Sequence, residues 1–443
     1  MPLGNLVVNS IAISIANSVV KTLTVTAGFC VLLCAVNPVA VQAAAVQQST
    51  AQKQTEQEEV TERRKASGKS PLAKQEQDLA RLRPDEPERV SPGQLEMSIE
   101  RGSKHLVETQ RADGAWGGPQ WTGGVDSDPV GSMDAFDVAI TAMCLEAMLD
   151  VEQSAEVVAA NKKALEFLLE DTDGIRRADG GNLPHIWSHC YCIQTFTKIH
   201  QRSSDEMLKT RLEDAIETHV AGLDRWQSIN GGWFYYGNGM AKPTNPSCSF
   251  VNAAILIALS RARDAGMDVN DKMVAKALRA TQLMRKPDSS FLYTAGIPGD
   301  MSNAMSPINR PAGSLGRSQA GNAALRAWSD EDITDEVLTN WLNRLITRHG
   351  WLEMGRKRRV PHVAPAAVAG YFYYFGMYYG SVCIEFLPSQ QQEFYQLHLA
   401  KLIMERQEKD GSWFDYPLYS YHKPYGTAFA MLALQRCRFN FVK

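Results

Sequence analysis

The stretch QRADGAW, residues 110–116, places a glutamine six residues ahead of a tryptophan, with an Asp-Gly pair between them. The same arrangement returns as QSINGGW at 227–233 and as QEKDGSW at 407–413. The copies begin 117 and 180 residues apart, close to two and three times one period of about 60 residues, and such regular self-similarity is typical of a repeat architecture.

Weaker copies fall where this period places the missing turns: EDTDGIRRADGG near residue 170, QLMRKPDSSF at 282–291 and ITRHGW at 346–351. In each of the six units a helical pattern with one charged face precedes the turn, and a helical pattern with few charges follows it. This alternation predicts an all-α fold, an (α/α)6 toroid of six helical hairpins with an outer and an inner ring of helices. An open stack of the same hairpins is the alternative, but only a closed ring leaves no ends to cap.

The repeated turn has a structural explanation. Asp-Gly and Asn-Gly pairs allow the chain to reverse with a positive φ. The glutamine can bond backbone groups that are left free at a helix end, and the tryptophan can bury a large flat face between neighbouring hairpins. We therefore expect the glutamines and tryptophans of the three turns to stabilise the fold rather than to catalyse a reaction.

The three turns, followed by small-residue helices such as YGTAFAMLALQ at 425–435, resemble the prenyltransferase and squalene-oxidase repeat of the terpenoid cyclase superfamily. The resemblance spans roughly residues 95–437. It implies an α/α toroid, a fold shared by triterpene cyclases, protein prenyltransferase β subunits and complement-type thioester domains. Because a shared fold does not fix a function, the motif of each class has to be sought separately.

In this family, triterpene cyclases protonate an alkene with the middle aspartate of a DxDD motif, a carboxylic acid that is kept protonated in a dry cavity. The nearest match here is DAFD at 134–137, in which Asp134 and Asp137 fit the outer aspartates and Phe136 stands in the place of the donor. Acid-initiated cyclisation of squalene is therefore disfavoured. Asp134 and Asp137 remain the catalytic candidates, although Asp134 equally suits an acidic cap at a helix start.

Prenyltransferase β subunits of the same family bind zinc through an Asp, a Cys and a His. This chain offers Cys248 in PSCSF and His189, Cys190 and Cys192 in WSHCYC, but Pro246 stands where the aspartate is expected. The GCGEQ sequence of thioester domains does not occur. The sequence thus indicates no metal and no cofactor, and it leaves open whether the protein is an enzyme.

A closed ring would gather the starts of the inner helices around one mouth, and polar groups over an apolar cavity are typical of a ligand site. The residues predicted to bind a ligand there are His185, His189, Cys248, Arg317, His362, Tyr371, Tyr374, Tyr421 and His422. Helix starts also need polar side chains for their free N–H groups, so a purely structural role is the alternative. The stretch AGYFYYFGMYYG at 369–380 adds seven aromatic residues on one inner helix.

We predict from these features a central cavity that binds a small apolar or isoprenoid-like ligand or lipid. One alternative is a divergent enzyme of the terpene cyclase or prenyltransferase type. Another is a polysaccharide lyase or glycosidase on the same ring, since Arg310, Arg317, Tyr421 and His422 would suit uronate binding and proton abstraction.

The N-terminal region differs from the repeats. Residues 1–46 contain an uncharged apolar run that ends in small residues, which is typical of an export signal, and an uncleaved membrane anchor is the alternative. Residues 47–90 are charged and lack aromatic residues, so we predict a disordered linker before the toroid at 91–443. The protein is accordingly predicted to be periplasmic, secreted or held at a membrane by this segment. A net charge of -3 gives no basic field for nucleic acid.

Overall fold

The computed structural model describes residues 82–123, 132–170, 185–235, 246–295, 302–363 and 365–438, all within one compact unit. The predicted signal segment, residues 1–46, lies outside the described residues, as does most of the predicted linker. The last nine linker residues, 82–90, are described and lie along one outer helix. There the Arg83 guanidinium lies 6.0 Å from the centre of the Phe394 ring, and His398 Nε2 lies 3.0 Å from the carbonyl oxygen of Asp85.

The described residues are mainly helical. The helices are α1 (Pro92–Thr109), α2 (Ser132–Met148), α3 (Ala155–Glu170), α4 (His185–Arg202), α5 (Glu206–Trp226), α6 (Ser249–Asp264), α7 (Asp271–Met284), α8 (Leu315–Ala327), α9 (Asp335–Arg348), α10 (Gly350–Glu353), α11 (Phe372–Glu385), α12 (Ser389–Met404) and α13 (His422–Arg436). Two short 3-10 helices span Pro307–Asn309 and Tyr419–Tyr421. Two short strands, β1 (Ser247–Cys248) and β2 (Thr294–Ala295), pair antiparallel, with Ser247 opposite Ala295.

The helices form two rings. Neighbours contact each other in the order α2, α4, α6, α8, α11 and α13, and α13 returns to α2. Outside them, α1 contacts α3, α3 contacts α5, and α9 contacts α12, which returns to α1. The predicted (α/α)6 toroid is therefore confirmed, and the open stack is excluded because the last hairpin contacts the first.

Burial follows the two helix patterns. Every residue of the inner helix α11 from Phe372 to Ile384 is buried, because this helix is enclosed by neighbours on all sides. The outer helix α1 buries one face and begins at a capping box. In this box the Ser91 hydroxyl accepts a hydrogen bond from the backbone N–H of Gln94, and the side-chain oxygen of Gln94 accepts one from the backbone N–H of Ser91. Such a box satisfies two of the N–H groups that a helix start leaves without partners.

In the three strong turns the glutamine joins neighbouring hairpins. Its side-chain Nε2 donates both to a carbonyl of its own turn and to a carbonyl of the next outer helix around the ring. The pairs of acceptors are Gly114 and Ala160 for Gln110 (2.9 and 2.9 Å), Gly231 and Met273 for Gln227 (2.8 and 2.7 Å), and Gly411 and Ser98 for Gln407 (2.9 and 2.8 Å).

The glycine of each turn has the positive φ that the sequence predicts, at 95° for Gly114, 92° for Gly231 and 85° for Gly411. The glycines also pack against the backbone of the next outer helix. A Cβ atom would lie 2.5 Å from the carbonyl oxygen of Lys163, 2.7 Å from that of Lys276 and 2.4 Å from that of Arg101, respectively. Only glycine therefore allows this close approach between hairpins.

The tryptophans Trp116, Trp233 and Trp413 are fully buried. Each indole N–H donates to the carbonyl ten residues earlier in its own outer helix, at Leu106 (2.7 Å), Leu223 (2.8 Å) and Ile403 (2.8 Å). Each tryptophan backbone N–H donates to a side chain of the following inner helix, at Thr141 (3.2 Å), Asn252 (2.8 Å) and Thr427 (3.0 Å). The tryptophan thus fixes the outer helix to the inner helix within one hairpin.

The weaker copies behave differently. In the fourth unit the turn lies within its sequence window, at 285–291, with Arg285 in the glutamine position and the buried Phe291 in the tryptophan position. The fifth copy, predicted at 346–351, is wrong as a turn of this kind, because these residues span the end of α9 and the start of α10. The second copy lies within residues 171–184, outside the described part of the chain.

Within the described ranges, each helix is too short or too polar to cross a lipid bilayer. The six cysteines in these ranges are buried and free: Cys144, Cys190, Cys192, Cys248, Cys383 and Cys437.

Candidate functional site

An aromatic cavity of about 300 Å³ lies where the inner helices begin, within the size range of about 300 to 1,000 Å³ that is common for ligand pockets. We call it the aromatic cavity. The inner helices contribute Phe136, Ile140, Trp187, Phe250, Phe375 and Phe429 to its wall, and the loops contribute Tyr235, Tyr293, His362, Tyr371 and Tyr416. All inner helices run in the same direction, so their first turns meet at this one end of the ring.

The rings of the wall hold one another in place. Phe250 lies edge to face with Tyr293 (ring centres 5.1 Å apart) and with Phe372 (5.2 Å), and Phe375 lies edge to face with Phe429 (6.1 Å). Edge-to-face contacts of this kind stabilise a fixed arrangement of rings. The cavity therefore has a preformed, largely apolar wall.

A short chain of polar groups forms one corner of the cavity. His362 Nδ1 lies 2.7 Å from the carbonyl oxygen of Ala367, so Nδ1 carries the hydrogen and donates. Burial lowers the pKa of His362 and favours the neutral ring, in which Nε2 accepts a hydrogen bond from the Tyr371 hydroxyl at 3.0 Å. The Tyr293 and Tyr371 hydroxyls are 3.3 Å apart. The structure thus brings together two predicted site residues, His362 and Tyr371, with Tyr293, which the sequence did not single out.

Arg317 lies behind this corner rather than in the wall. It is 1% exposed, and its guanidinium donates to the carbonyl oxygens of Phe291 (3.2 Å) and Gly313 (2.8 Å), to that of Ile308, and to Asn309 Oδ1 (3.0 Å). Burial lowers the pKa of Arg317 to about 10, and no carboxylate of the described residues pairs with it. The guanidinium carbon lies 5.4 Å from the centre of the Tyr293 ring. Arg317 therefore holds the loop at 308–313 and supports Tyr293 from behind.

The two aspartates of DAFD have different surroundings. Asp134 is exposed in the first turn of α2. Asp137 is half-buried and accepts from Arg111 (2.7 Å) and from the Tyr421 hydroxyl (2.6 Å). Burial raises the pKa of Asp137, and these two donors partly offset that effect. Tyr421 is buried, and its ring lies 5.5 Å from that of Phe136. The catalytic candidate Asp137 and the predicted ligand-binding residue Tyr421 therefore bond to each other and support the cavity wall from outside.

His189 and Cys248, which are predicted to bind a ligand, lie in separate surroundings. His189 Nδ1 lies 3.0 Å from Nδ1 of His219 on the outer helix α5. Cys248 lies in β1 opposite Thr294, and burial raises the pKa of its thiol. Across the described ranges no three His, Cys, Asp or Glu side chains form a group that could hold a metal ion. The side chain of His185 lies outside the described residues.

Two other predicted site residues, Tyr374 and His422, do not line the aromatic cavity. The Tyr374 ring packs against Tyr373 at 5.1 Å, and its backbone N–H donates to Asp415. His422 Nδ1 lies 2.6 Å from the carbonyl oxygen of Tyr419, and its ring lies edge to face with Phe414. Both residues stabilise the surroundings of the cavity.

Asp415 is a second residue near the site, after Tyr293, that the sequence did not single out. It lies two residues after Trp413, is fully buried, and accepts from the Tyr374 backbone N–H at 3.0 Å and from the Tyr425 hydroxyl. Burial raises the pKa of Asp415 to about 7, against the effect of these donors. Tyr425 lines the aromatic cavity, so Asp415 is one hydrogen bond away from it. The only sequence signal was an acidic residue inside an otherwise aromatic loop, WFDYPLY at 413–419.

Three solved structures with a similar fold have the names of enzymes, and each has a low sequence identity to this chain. Unsaturated glucuronyl hydrolase from Streptococcus agalactiae is 12% identical, with a TM-score of 0.50 over 80% of this chain and 94% of that chain. D-mannose isomerase is 13% identical, with a TM-score of 0.49 over 78% and 97%. The type II terpene cyclase MstE from Scytonema is 13% identical, with a TM-score of 0.43 over 78% and 98%.

No protein-family model and no curated protein matches the chain. At 12% identity the likeness to the glucuronyl hydrolase, with its TM-score of 0.50, concerns the fold alone, and it agrees with the α/α toroid that the sequence resemblance implies.

Proposed function

We propose that the protein binds a small apolar, isoprenoid-like molecule or lipid in the aromatic cavity. The observation that carries this proposal is the cavity itself, which has a volume of about 300 Å³ and a wall of aromatic and aliphatic side chains at the starts of the inner helices. Removing apolar ligand surface from water in such a site contributes about 25 cal/mol per Å². A preformed wall also favours binding, because its side chains lose little conformational freedom when the ligand binds.

The polar corner defines one end of the ligand. The Tyr371 hydroxyl donates to His362, and the Tyr293 hydroxyl lies beside it at the cavity wall. A hydroxyl or carbonyl group at one end of an otherwise apolar ligand can bond to this pair. A charged head group would have to give up its water at a wall whose described residues carry no charged side chain, because the Arg317 guanidinium lies behind Tyr293 and is bonded to loop carbonyls. The proposed ligand is therefore a neutral isoprenoid-like alcohol or ketone.

A binding role is favoured over acid-initiated cyclisation. Phe136, in the place of the proton donor of the DxDD motif, contributes its ring to the cavity wall. No carboxylate of the described residues lines the cavity. Of the two DAFD aspartates, Asp134 is exposed and Asp137 is paired with Arg111 and Tyr421. A lyase or glycosidase is also not favoured at this end, because Arg317 is fully engaged with carbonyl groups.

A divergent enzyme remains a second candidate because of Asp415. A buried carboxyl with its pKa raised to about 7 is half protonated near neutral pH, as a general acid requires. Its hydrogen bond to Tyr425 connects it to the cavity wall. Incubation with geranylgeraniol tests this candidate: formation of a cyclic isomer by the wild type, and its loss in Asp415→Asn, would favour the enzyme. Recovery of unchanged geranylgeraniol would contradict the enzyme and leave binding as the remaining proposed role.

The proposed binding is tested by extracting lipids from the purified full-length protein and identifying them by mass spectrometry. Ala139→Phe places a ring into the cavity, because Ala139 is part of its wall. Ala159→Phe on the exposed face of α3 is the matched control. We expect an isoprenoid or similar lipid with the wild type and with Ala159→Phe, and none with Ala139→Phe. Equal amounts from all three proteins, or none from any, would contradict the proposal.

We also propose that the protein is exported, on the basis of the apolar run and small residues in segment 1–46. Expression with a C-terminal tag in a bacterial host, followed by fractionation and N-terminal sequencing, tests this proposal. A periplasmic or membrane-associated protein, with or without loss of the segment, is expected. An intact protein in the cytosolic fraction alone would contradict it.

A further inference from the structure

A second cavity, of about 440 Å³, lies at the opposite end of the ring, where the inner helices end. We call it the polar cavity. Its wall comes from the last turns of α2, α4, α6, α11 and α13 and from the residues that follow them. Tyr378 separates the two cavities. Its ring packs against Phe429, which lines the aromatic cavity, and its hydroxyl donates to Gln194, which lines the polar cavity.

Charge in the wall of the polar cavity is balanced, and every basic side chain in it is already paired with a carboxylate. Four acidic and four basic side chains line it. Each basic side chain has a carboxylate neighbour: Lys198 with Asp150 (2.8 Å), Arg261 with Glu146 (3.7 Å), Arg436 with Glu385 (3.2 Å) and Arg438 with Glu96 (2.7 Å). An anionic ligand would have to compete with these carboxylates, and a cationic ligand would approach four fixed cations. The wall therefore favours a ligand without net charge.

Buried polar atoms in this wall lack hydrogen-bond partners. Thr197 is 2% exposed, and its hydroxyl has no hydrogen-bond partner among the described residues. Gln435 Oε1 is also buried and also has no hydrogen-bond partner among them. Glu146 is also 2% exposed, and its carboxylate has only the ion pair with Arg261 and no hydrogen bond to any described residue. Buried polar groups in native proteins are almost always bonded to protein, ligand or water. The Thr197 hydroxyl and Gln435 Oε1, together with the Glu146 carboxylate that has an ion pair but no hydrogen bond, thus call for a partner that enters the cavity.

These three groups, which make no hydrogen bond to a described residue, define what the partner must offer. The Glu146 carboxylate and Gln435 Oε1 only accept hydrogen bonds, and the Thr197 hydroxyl both donates and accepts. Several hydroxyl groups on one neutral molecule meet these needs at once, because each hydroxyl can donate to an acceptor and accept from a donor. We propose that the polar cavity binds a small neutral polyhydroxylated molecule, such as a monosaccharide or sugar alcohol, separately from the apolar ligand of the aromatic cavity.

Thermal unfolding of the full-length protein tests this proposal, with a panel of neutral hexoses and hexitols as ligands. D-glucuronate and D-glucosamine, the anionic and cationic counterparts of D-glucose, are the charge controls. We expect at least one neutral member to raise the melting temperature in a saturable way and the charged counterparts to raise it less. No shift from any neutral member, or a larger shift from a charged counterpart, would overturn the proposal.

Two variants and a matched control locate the binding. Thr197→Val removes the unpartnered hydroxyl, so we expect no loss of stability without ligand but a weaker response to the active sugar. Glu146→Gln should weaken its binding about tenfold, because a hydrogen bond to a charged group becomes a neutral one. Thr195→Val on the same helix removes a hydroxyl that is bonded to the Ala142 carbonyl (2.8 Å), so it should lower stability and keep the response. A full response in Thr197→Val and in Glu146→Gln would place the sugar elsewhere and overturn the proposal.

The variant Ala139→Phe, in which a ring fills the aromatic cavity, distinguishes the two proposed binding sites. Ala139→Phe should keep the response to the sugar, because its side chain is added at the other end of the ring. A response that disappears in Ala139→Phe but survives in Thr197→Val would assign the sugar to the aromatic cavity, against both proposals.

Discussion

The side-chain Nε2 of Gln407, in the last hairpin, donates at 2.8 Å to the carbonyl oxygen of Ser98 in the first helix. These residues are 309 positions apart in the sequence. The same Gln407 also donates to Gly411 in its own turn, and Gly411 packs on the backbone of Arg101. The same kind of turn that joins neighbouring hairpins elsewhere thus also joins the last hairpin to the first and closes the ring.

Gln407→Ala should lower the free energy of unfolding by about 1 to 3 kcal/mol, because two buried carbonyls lose their donor. Urea denaturation gives this quantity directly. Gln391→Ala is the control, since Gln391 is an exposed residue of the adjacent helix α12, and it should change stability by less than about 0.5 kcal/mol. Equal stability of the two variants would show that the glutamine does not hold the ring closed.

Trp233→Ala should lower the free energy of unfolding by about 3 to 5 kcal/mol, since a fully buried indole is replaced by a cavity. The loss of the hydrogen bond from its Nε1 to the Leu223 carbonyl adds to this effect. Trp121→Ala is the control, because Trp121 is 67% exposed, and it should have a much smaller effect. If thermal and urea unfolding gave similar values for both variants, the structural role of the turn tryptophans would be contradicted.

Three glycine variants separate backbone strain from close packing. Gly266→Ala meets only strain, because φ is 85° and no atom lies within 4 Å of the added Cβ, so it should cost about 1 to 2 kcal/mol. Gly231→Ala meets the same strain and also the Lys276 carbonyl at 2.7 Å, so it should cost clearly more. Gly93→Ala in α1 meets neither and should be neutral or stabilising. Chemical denaturation checks the order, and equal costs at 231 and 266 would mean that the hairpins do not approach as closely as described.

Acid should destabilise the protein through His219. This residue is fully buried, and burial lowers its pKa from 6.5 to about 4. Its Nδ1 lies 3.0 Å from Nδ1 of His189, so in the neutral pair one Nδ1 carries a hydrogen and donates it to the other. A second hydrogen between these two nitrogens would place two donors opposite each other. Since the unfolded chain binds a proton at higher pH than the folded protein does, this contribution is complete above about pH 6.5 and is lost as pH falls towards 4.

The loss amounts to about 1.4 kcal/mol per pH unit for a single group. His219→Asn does not titrate there, so its free energy of unfolding should fall less steeply between these pH values, whatever its stability at neutral pH. Urea denaturation across this range measures the slope. An unchanged slope in the variant would contradict the assignment to His219.

The turn could be predicted from the sequence because its chemistry is local. Asp113 and Gly114 specify a reversal, and the spacing of Gln110 from Trp116 is repeated in three places. The ring followed from the period of these turns and from the low charge of the inner helices. In the fourth unit the window 282–291 contains the turn, but Arg285 and Phe291 stand at the glutamine and tryptophan positions, and the Arg285 side chain bonds to Asp330 and Asp332 instead of to carbonyl groups.

The site was harder to predict, because an inner helix that is buried on all sides gives no periodicity to show which face meets the cavity. Tyr371 and Tyr374 are three residues apart, yet only Tyr371 lines the cavity. Arg317 was expected at the site because it is a polar residue at the start of an inner helix, but its partners are backbone carbonyls that only the folded loop brings together. Asp415 and Glu146 depend on burial, which no local pattern in the sequence displays.

Titration of the delipidated protein with geranylgeraniol, followed by tryptophan fluorescence, tests the central claim most directly, because Trp187 is part of the wall of the aromatic cavity. Wild type and Ala159→Phe should show a saturable change at one ligand per chain, and Ala139→Phe should show none. Absence of a saturable change in the wild type, or the same change in Ala139→Phe, would contradict binding of an apolar ligand in the ring.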